Sequence, residues 1–158
     1  MTTNPEHSYQ SEASRSVLLV DDDDRVRQML SLALRAAGFD VVAAGTQQQA
    51  DHRLAQTRPD ALVLNLQRSE ADGLDVLQCM RARQDLSQVP IVFLACCDGD
   101  GVRSQAIRAG ADWFALRPVA LAKLQNRILE LIRHGRPPLN LIAARARPLG
   151  TRRLKPTG

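Results

Sequence analysis

Apolar positions in this chain fall into two kinds of pattern that alternate along its length. Val17 to Val20, Val41 to Ala44, Ala61 to Leu64, Ile91 to Ala95 and Asp112 to Leu116 are short and mostly continuous apolar runs, the pattern of strands buried on both faces. Between them, apolar residues recur at helical spacing. Asp24 starts a helix with Val26, Leu30, Ala33 and Ala37 on one face, and Gly38 follows where a left-handed cap is expected. Thr46 caps a second helix that runs through Arg58 with Ala50 and Leu54 inward, and Pro59 stops it. Asp72 caps a third, on which Leu74, Leu77 and Met80 face inward. A fourth runs from about Gly101 to Gly110. Pro118 opens the last, where Leu121, Leu124, Ile128, Leu131 and Ile132 form one face up to His134.

Five strands alternating with five helices require a parallel sheet covered on both faces, because each crossover is right-handed and lays its helix on one face or the other. The expected fold is a doubly wound α/β domain. No G-x-G-x-x-G follows the first strand and no G-x-x-x-x-G-K-[ST] occurs, so dinucleotide and P-loop readings lose their main support. A flavodoxin-like strand order, 2-1-3-4-5, remains.

The ends of the chain read differently. Residues 1–15 are polar and aperiodic, the pattern of a disordered arm, and the domain is expected over 16–134. Gly135-Arg136-Pro137-Pro138 breaks the last helix and opens a basic Pro/Arg-rich tail, 135–158, in which Leu139 to Arg147 has the pattern of one short helix. The 158 residues carry a formal charge of +4, yet the segment after residue 133 holds five Arg and one Lys and no acid. Taking that +6 from +4 leaves −2 for residues 1–133, so a sequence pI near 9.5 describes the tail and not the globular part. Contact with an anionic surface, nucleic acid included, is therefore a role for the tail alone. A tail of this length cannot form a DNA-binding output domain with its own core.

No apolar run approaches the ~20 residues of a membrane span, and MTTNPEHSYQSEASR lacks the charged and apolar regions of a signal peptide, which points to a cytoplasmic protein. Cys79, Cys96 and Cys97 are odd in number and lack metal-site spacing; thiols are expected.

The candidate chemistry lies at two strand ends. Val17 to Val20 delivers Asp21-Asp22-Asp23-Asp24, and Ala61 to Leu64 delivers Asn65, ahead of a loop that ends in Asp72-Gly73. Ligand sites in such sheets form outside the C-terminal ends of the strands, at the switch point of the strand order, so Asp21, Asp22 and Asn65 should meet there. Adjacent acids at the tip of a buried strand cost free energy unless a cation or a donor compensates them.

These residues, together with LLVDDD at Leu18 to Asp23, PIVFLA at Pro90 to Ala95, AGAD at Ala109 to Asp112 and Arg117-Pro118, make the segment from about Ser16 to Arg133 resemble the receiver domain of two-component response regulators. The resemblance implies a magnesium site at the acid pair and the phosphoacceptor aspartate, a Thr or Ser at the end of strand 4 that senses the phosphoryl group, and a Lys before a cis-proline. By position those residues are Asp21, Asp22, Asn65, Ala95 and Arg117. The aromatic that couples the site to the face of helix 4, strand 5 and helix 5 would be Phe114, for which core packing is an equal reading. Trp113 and Arg108 fall in the segments of that face.

Three of the five pocket positions depart from the pattern. Asn65 is a neutral carboxamide and cannot form an acyl phosphate, Ala95 has no hydroxyl, and Arg117 replaces a point charge by a planar fork suited to bridging Asp21 or Asp22. With one carboxylate fewer, only weak Mg²⁺ binding is expected, through Asp22 and the backbone carbonyl of Gln67, and no cofactor otherwise. The expected function is that of a non-enzymatic, atypical stand-alone response regulator, a pseudo-receiver that binds a signalling protein without phosphorylation. The alternatives are a phosphoryl-accepting receiver with an unusual acceptor, and a nucleic-acid-associated regulator that uses its basic tail.

Overall fold

The computed structural model describes residues 14–67, 70–97, 99 and 101–138. Its elements run β1 Ser16–Asp21, α1 Asp24–Ala36, β2 Asp40–Ala44, α2 Gln47–Leu54, β3 Ala61–Asn65, α3 Glu70–Ala82, β4 Ile91–Ala95, α4 Val102–Ala109, β5 Trp113–Leu116 and α5 Leu121–His134, with a 3₁₀ turn at Gln84–Leu86. Every strand pairing is parallel and the sheet order is β2-β1-β3-β4-β5, the flavodoxin-like order expected. The tail helix expected over Leu139 to Arg147 and nearly all of the N-terminal arm lie outside the described residues.

Alternation along the strands divides the core in two. Leu18, Val20, Leu62, Leu64, Ile91, Phe93 and Ala95 pack with Leu54 of α2, Leu77 and Met80 of α3, and Val102 and Ala106 of α4. Val17, Leu19, Val63, Val92 and Leu94 pack on the other face with Leu34 of α1 and Leu124, Ile128 and Leu131 of α5. All five residues of β3 and of β4 are buried, as strands covered from both sides must be.

Several helix boundaries and faces differ from expectation. In α1 the buried residues are Ser31 and Leu34, while Ala33 is half-buried and Ala37 exposed, so the inward stripe is rotated relative to the predicted one. That rotation lets the Arg27 side chain reach back over the sheet, where Nη1 donates to the Asp21 carbonyl at 2.7 Å. Helix α2 ends at Leu54 and not Arg58; Pro59 biases its predecessor away from helical torsions, and the chain leaves the helix through single turns at Ala55 and Thr57. Helix α3 begins at Glu70, so Asp72 is not its cap but sits in the first turn, where the helix dipole favours a carboxylate. Helix α5 begins at Leu121 because Pro118, on a cis peptide, and Ala120, extended at ψ 127, belong to the loop; Leu121 itself is exposed.

At the end of the sheet away from the predicted site, Asp112 is buried and accepts from the Ile91 backbone N–H (2.8 Å), Arg81 Nη2 (3.0 Å) and Arg136 Nε (2.9 Å). Arg81 also donates to the carbonyls of Leu86, Val89 and Gly110, and burial pulls its guanidinium down to about 10 against the opposing pull of Asp112. Gly110 has φ +110, and a Cβ there would lie 2.6 Å from Arg81 Cγ. Through Arg136 the domain holds the chain two residues past its own expected end at residue 134. Asp112→Ala would take the carboxylate from two part-buried guanidinium groups and the acceptor from the buried Ile91 N–H, and we expect a loss of roughly 3 to 5 kcal/mol in the urea unfolding free energy.

Candidate functional site

Asp21 and Asn65 occupy the same register position at the C-terminal ends of the two adjacent strands β1 and β3. Both side chains are fully buried. Asn65 Nδ2 donates to Asp21 Oδ2 at 2.7 Å, and the Asp23 backbone N–H donates to Asp21 Oδ1 at 2.9 Å. Asp23 caps α1 through its own side chain, which accepts from the N–H groups of Arg25 and Val26. The strand end, the cap and the amide are therefore one hydrogen-bonded unit.

Burial pushes the Asp21 carboxyl above its ordinary range, the Asp23 N–H and Asn65 oppose that shift, and the charges of Asp22 and Asp23 add to it. Half-buried Asp22 accepts the Gln67 backbone N–H on Oδ1 at 2.7 Å, which ties the loop after β3 to the loop after β1. Asp21, Asp22, Asn65 and Gln67 thus meet where the sequence placed them.

Ala95 ends β4 and is buried on the opposite face of the sheet, in the cluster that contains Phe93 and Phe114. The Phe114 ring lies inward, stacked on Phe93 at 6.2 Å between centroids, with the Arg103 guanidinium 4.8 Å from its own centroid. Trp113 is half-buried beneath Arg127 at 5.4 Å, and Arg108 is exposed. Arg117 follows β5; its backbone N–H donates to the Ala95 carbonyl at 2.8 Å, and its peptide to Pro118 is cis. The bridge from Arg117 to Asp21 or Asp22 does not form. Arg117 makes no ion pair among the described residues, and its buried Nε has no partner. The reason is geometric: Asp21 already has both oxygens bonded within its own corner, and the Arg117 side chain lies along a cleft on the side of α1.

That cleft was not foreseen. It encloses about 410 Å³ between Val26, Met29 and Leu30 of α1, Leu94 and Cys96 at the end of β4, and Arg117-Pro118-Val119, with Asn65 and Gln67 on its wall. Met29, which lines it, is largely exposed, and such an apolar residue outside the buried stripe of α1 was the signal for it in the sequence. Cys96 and Cys97 are exposed thiols with sulfurs 3.6 Å apart.

The model of the response regulator receiver domain family matches residues 17–129, and the chain belongs to that family. It is 37% identical over 121 residues to the response regulator MprA of Mycobacterium leprae, covering 77% of this chain and 52% of that protein. The chain spans about half the length of the curated relatives it matches. Among solved structures, a putative response regulator from Chloroflexus aurantiacus is 27% identical with a TM-score of 0.69, over 77% of this chain and 99% of that one. A receiver domain of a sensor histidine kinase from Pseudomonas aeruginosa, with a magnesium ion in its active-site cleft, is 26% identical with a TM-score of 0.67, again over 77% and 99%.

A raised folded-state carboxyl pKa means that the native state holds a proton more tightly than the unfolded chain. The contribution of Asp21 is then fully present below the ordinary carboxylate value and is lost as pH rises through the higher native value. Asp21→Asn keeps both hydrogen bonds if the Asn65 amide turns over, because the new side chain then accepts from Asp23 and donates to Asn65 Oδ1. We expect this variant to melt above the wild type at pH 7, and the difference to shrink as pH falls through the carboxylate range in a thermal unfolding series.

Proposed function

We propose that this chain is a pseudo-receiver: a member of two-component signalling that acts by binding a protein partner and neither accepts nor transfers a phosphoryl group. One observation carries the proposal. The position from which a receiver presents its nucleophile is Asn65, and its amide is spent on a 2.7 Å hydrogen bond to Asp21. An acyl phosphate requires a carboxylate oxygen as nucleophile, and a carboxamide has none to offer.

The surroundings support the same reading. Magnesium demands hard, charged oxygen ligands in near-octahedral array. Here Asp21 has both oxygens engaged, Asp22 has one engaged by Gln67, and position 65 supplies at most a neutral amide oxygen. That donor set does not fit a tight magnesium site. Ala95 offers no hydroxyl to a phosphoryl oxygen and is packed into the core with Phe93.

For output, the face of α4, β5 and α5 is the surface we favour. It presents Arg108 and Lys123 exposed and Arg127 over Trp113, the aromatic and arginine types that dominate binding hot spots. With no phosphoryl group to shift an equilibrium, this surface is offered continuously, and control passes to partner abundance. A cytoplasmic setting suits such a role, and no helix among the described residues is long and apolar enough to cross a membrane.

Incubation with a small phosphodonor and Mg²⁺, followed by intact-mass measurement, tests the proposal. We expect no adduct on the wild-type chain, and partial uptake at most by Asn65→Asp. A hydroxylamine-labile phosphoryl adduct on the wild type would instead establish a receiver with an unusual acceptor.

A further inference from the structure

The cleft between α1 and the β5–α5 loop is built unlike a metal or phosphate site. Most of its wall is aliphatic or sulfur-bearing: Val26, Met29, Leu30, Leu94, Cys96, Pro118 and Val119. Its volume of about 410 Å³ falls in the range of clefts that hold small organic molecules, which characteristically combine an apolar lining with a few polar groups. Two such groups are present and unsatisfied. Asn65 Oδ1 and Arg117 Nε are both buried without a hydrogen-bond partner, and both side chains line the cleft. A buried polar atom left unpaired costs free energy that a ligand can recover by pairing with it.

The two orphans are complementary in kind. Asn65 Oδ1 is a neutral acceptor and calls for an N–H or O–H donor; Arg117 Nε is a donor and calls for a carbonyl or similar acceptor. Charge narrows the choice further. A cation on this wall would face the Arg117 guanidinium; an anion would be drawn to that guanidinium but would set a further acceptor oxygen against Asn65 Oδ1, whose amide is already bonded to the Asp21 carboxyl. A neutral group that carries donor and acceptor together meets neither objection, and a carboxamide or lactam edge is the simplest such group.

We propose that this cleft is a binding site for a small, neutral, apolar molecule with an amide-like edge, the ring or chain resting on Val26, Met29, Leu30 and Val119 and the edge directed to Asn65 and Arg117. The proposal does not depend on how the chain signals: it concerns what fills the cleft, and its failure would leave the phosphorylation result unchanged. Because α1 and the loop before α5 both line the cleft, an occupant would tie together two elements that meet across it.

Indole-3-carboxamide and its isosteric anion, indole-3-carboxylate, serve as probes, titrated separately into the full chain while backbone amide chemical shifts are followed. We expect the carboxamide to cause saturable shifts at Gln67, Cys96 and Val119, with a dissociation constant on the order of 1 mM for so small a molecule. The carboxylate should bind about tenfold more weakly, as expected when one buried hydrogen bond is replaced by a repulsive contact. Arg117→Met should weaken the carboxamide severalfold without loss of fold, since Arg117 makes no ion pair among the described residues. No saturable shift at these amides would overturn the proposal, and so would carboxylate binding as tight as that of the carboxamide.

Discussion

The corner where β1 and β3 end depends on one hydrogen bond, from Asn65 Nδ2 to Asp21 Oδ2 at 2.7 Å between two fully buried side chains. Two carboxylates cannot occupy these positions at this separation unless a cation or a shared proton lies between them, because both present only acceptors. The amide supplies the missing donor from within the chain. One negative charge is thereby removed from the buried corner, and the remaining one is held by Asn65 and the Asp23 N–H. On the reading proposed above, this bond closes to metal a pocket that in an acidic form would be open to it.

The rest of the site follows from that closure. With Asp21 fully bonded, Arg117 pairs with no acid among the described residues and lines the apolar cleft. Ala95, on the far face of the sheet, belongs to the core with Phe93 and Phe114. Phe114 is held inward by stacking on Phe93 and by the Arg103 guanidinium over its ring. Under the proposed reading, Ala95 gives the two faces of the sheet no hydroxyl through which a phosphoryl oxygen would link them.

Much of this was legible in the sequence. Continuous apolar runs marked the strands to within a residue or so at each end, since a strand buried on both faces tolerates no polar interruption until its tip. The polar residue at each tip, Asp21 and Asn65, marked the site. Helix faces and ends were less legible: Ser31 is buried in α1 while Ala37 is exposed, because a small hydroxyl fits against the sheet and the end of the helix overhangs it. The Asp112, Arg81 and Arg136 network was invisible, as nothing in local spacing joins residues 31 and 24 positions apart. The behaviour of Arg117 was misjudged for a related reason, since charge complementarity in the sequence says nothing about which acceptors are already taken.

If the proposed reading holds, the pocket has no phosphoryl-responsive state, and the amide spectrum of the full chain in Mg²⁺ with and without beryllofluoride, a phosphoryl mimic that attaches to carboxylates, decides the matter. We expect the Asn65, Ala95 and Phe114 amides not to shift, since position 65 offers no carboxylate to the mimic. Saturable shifts at those residues, extending to α4 and β5, would contradict it.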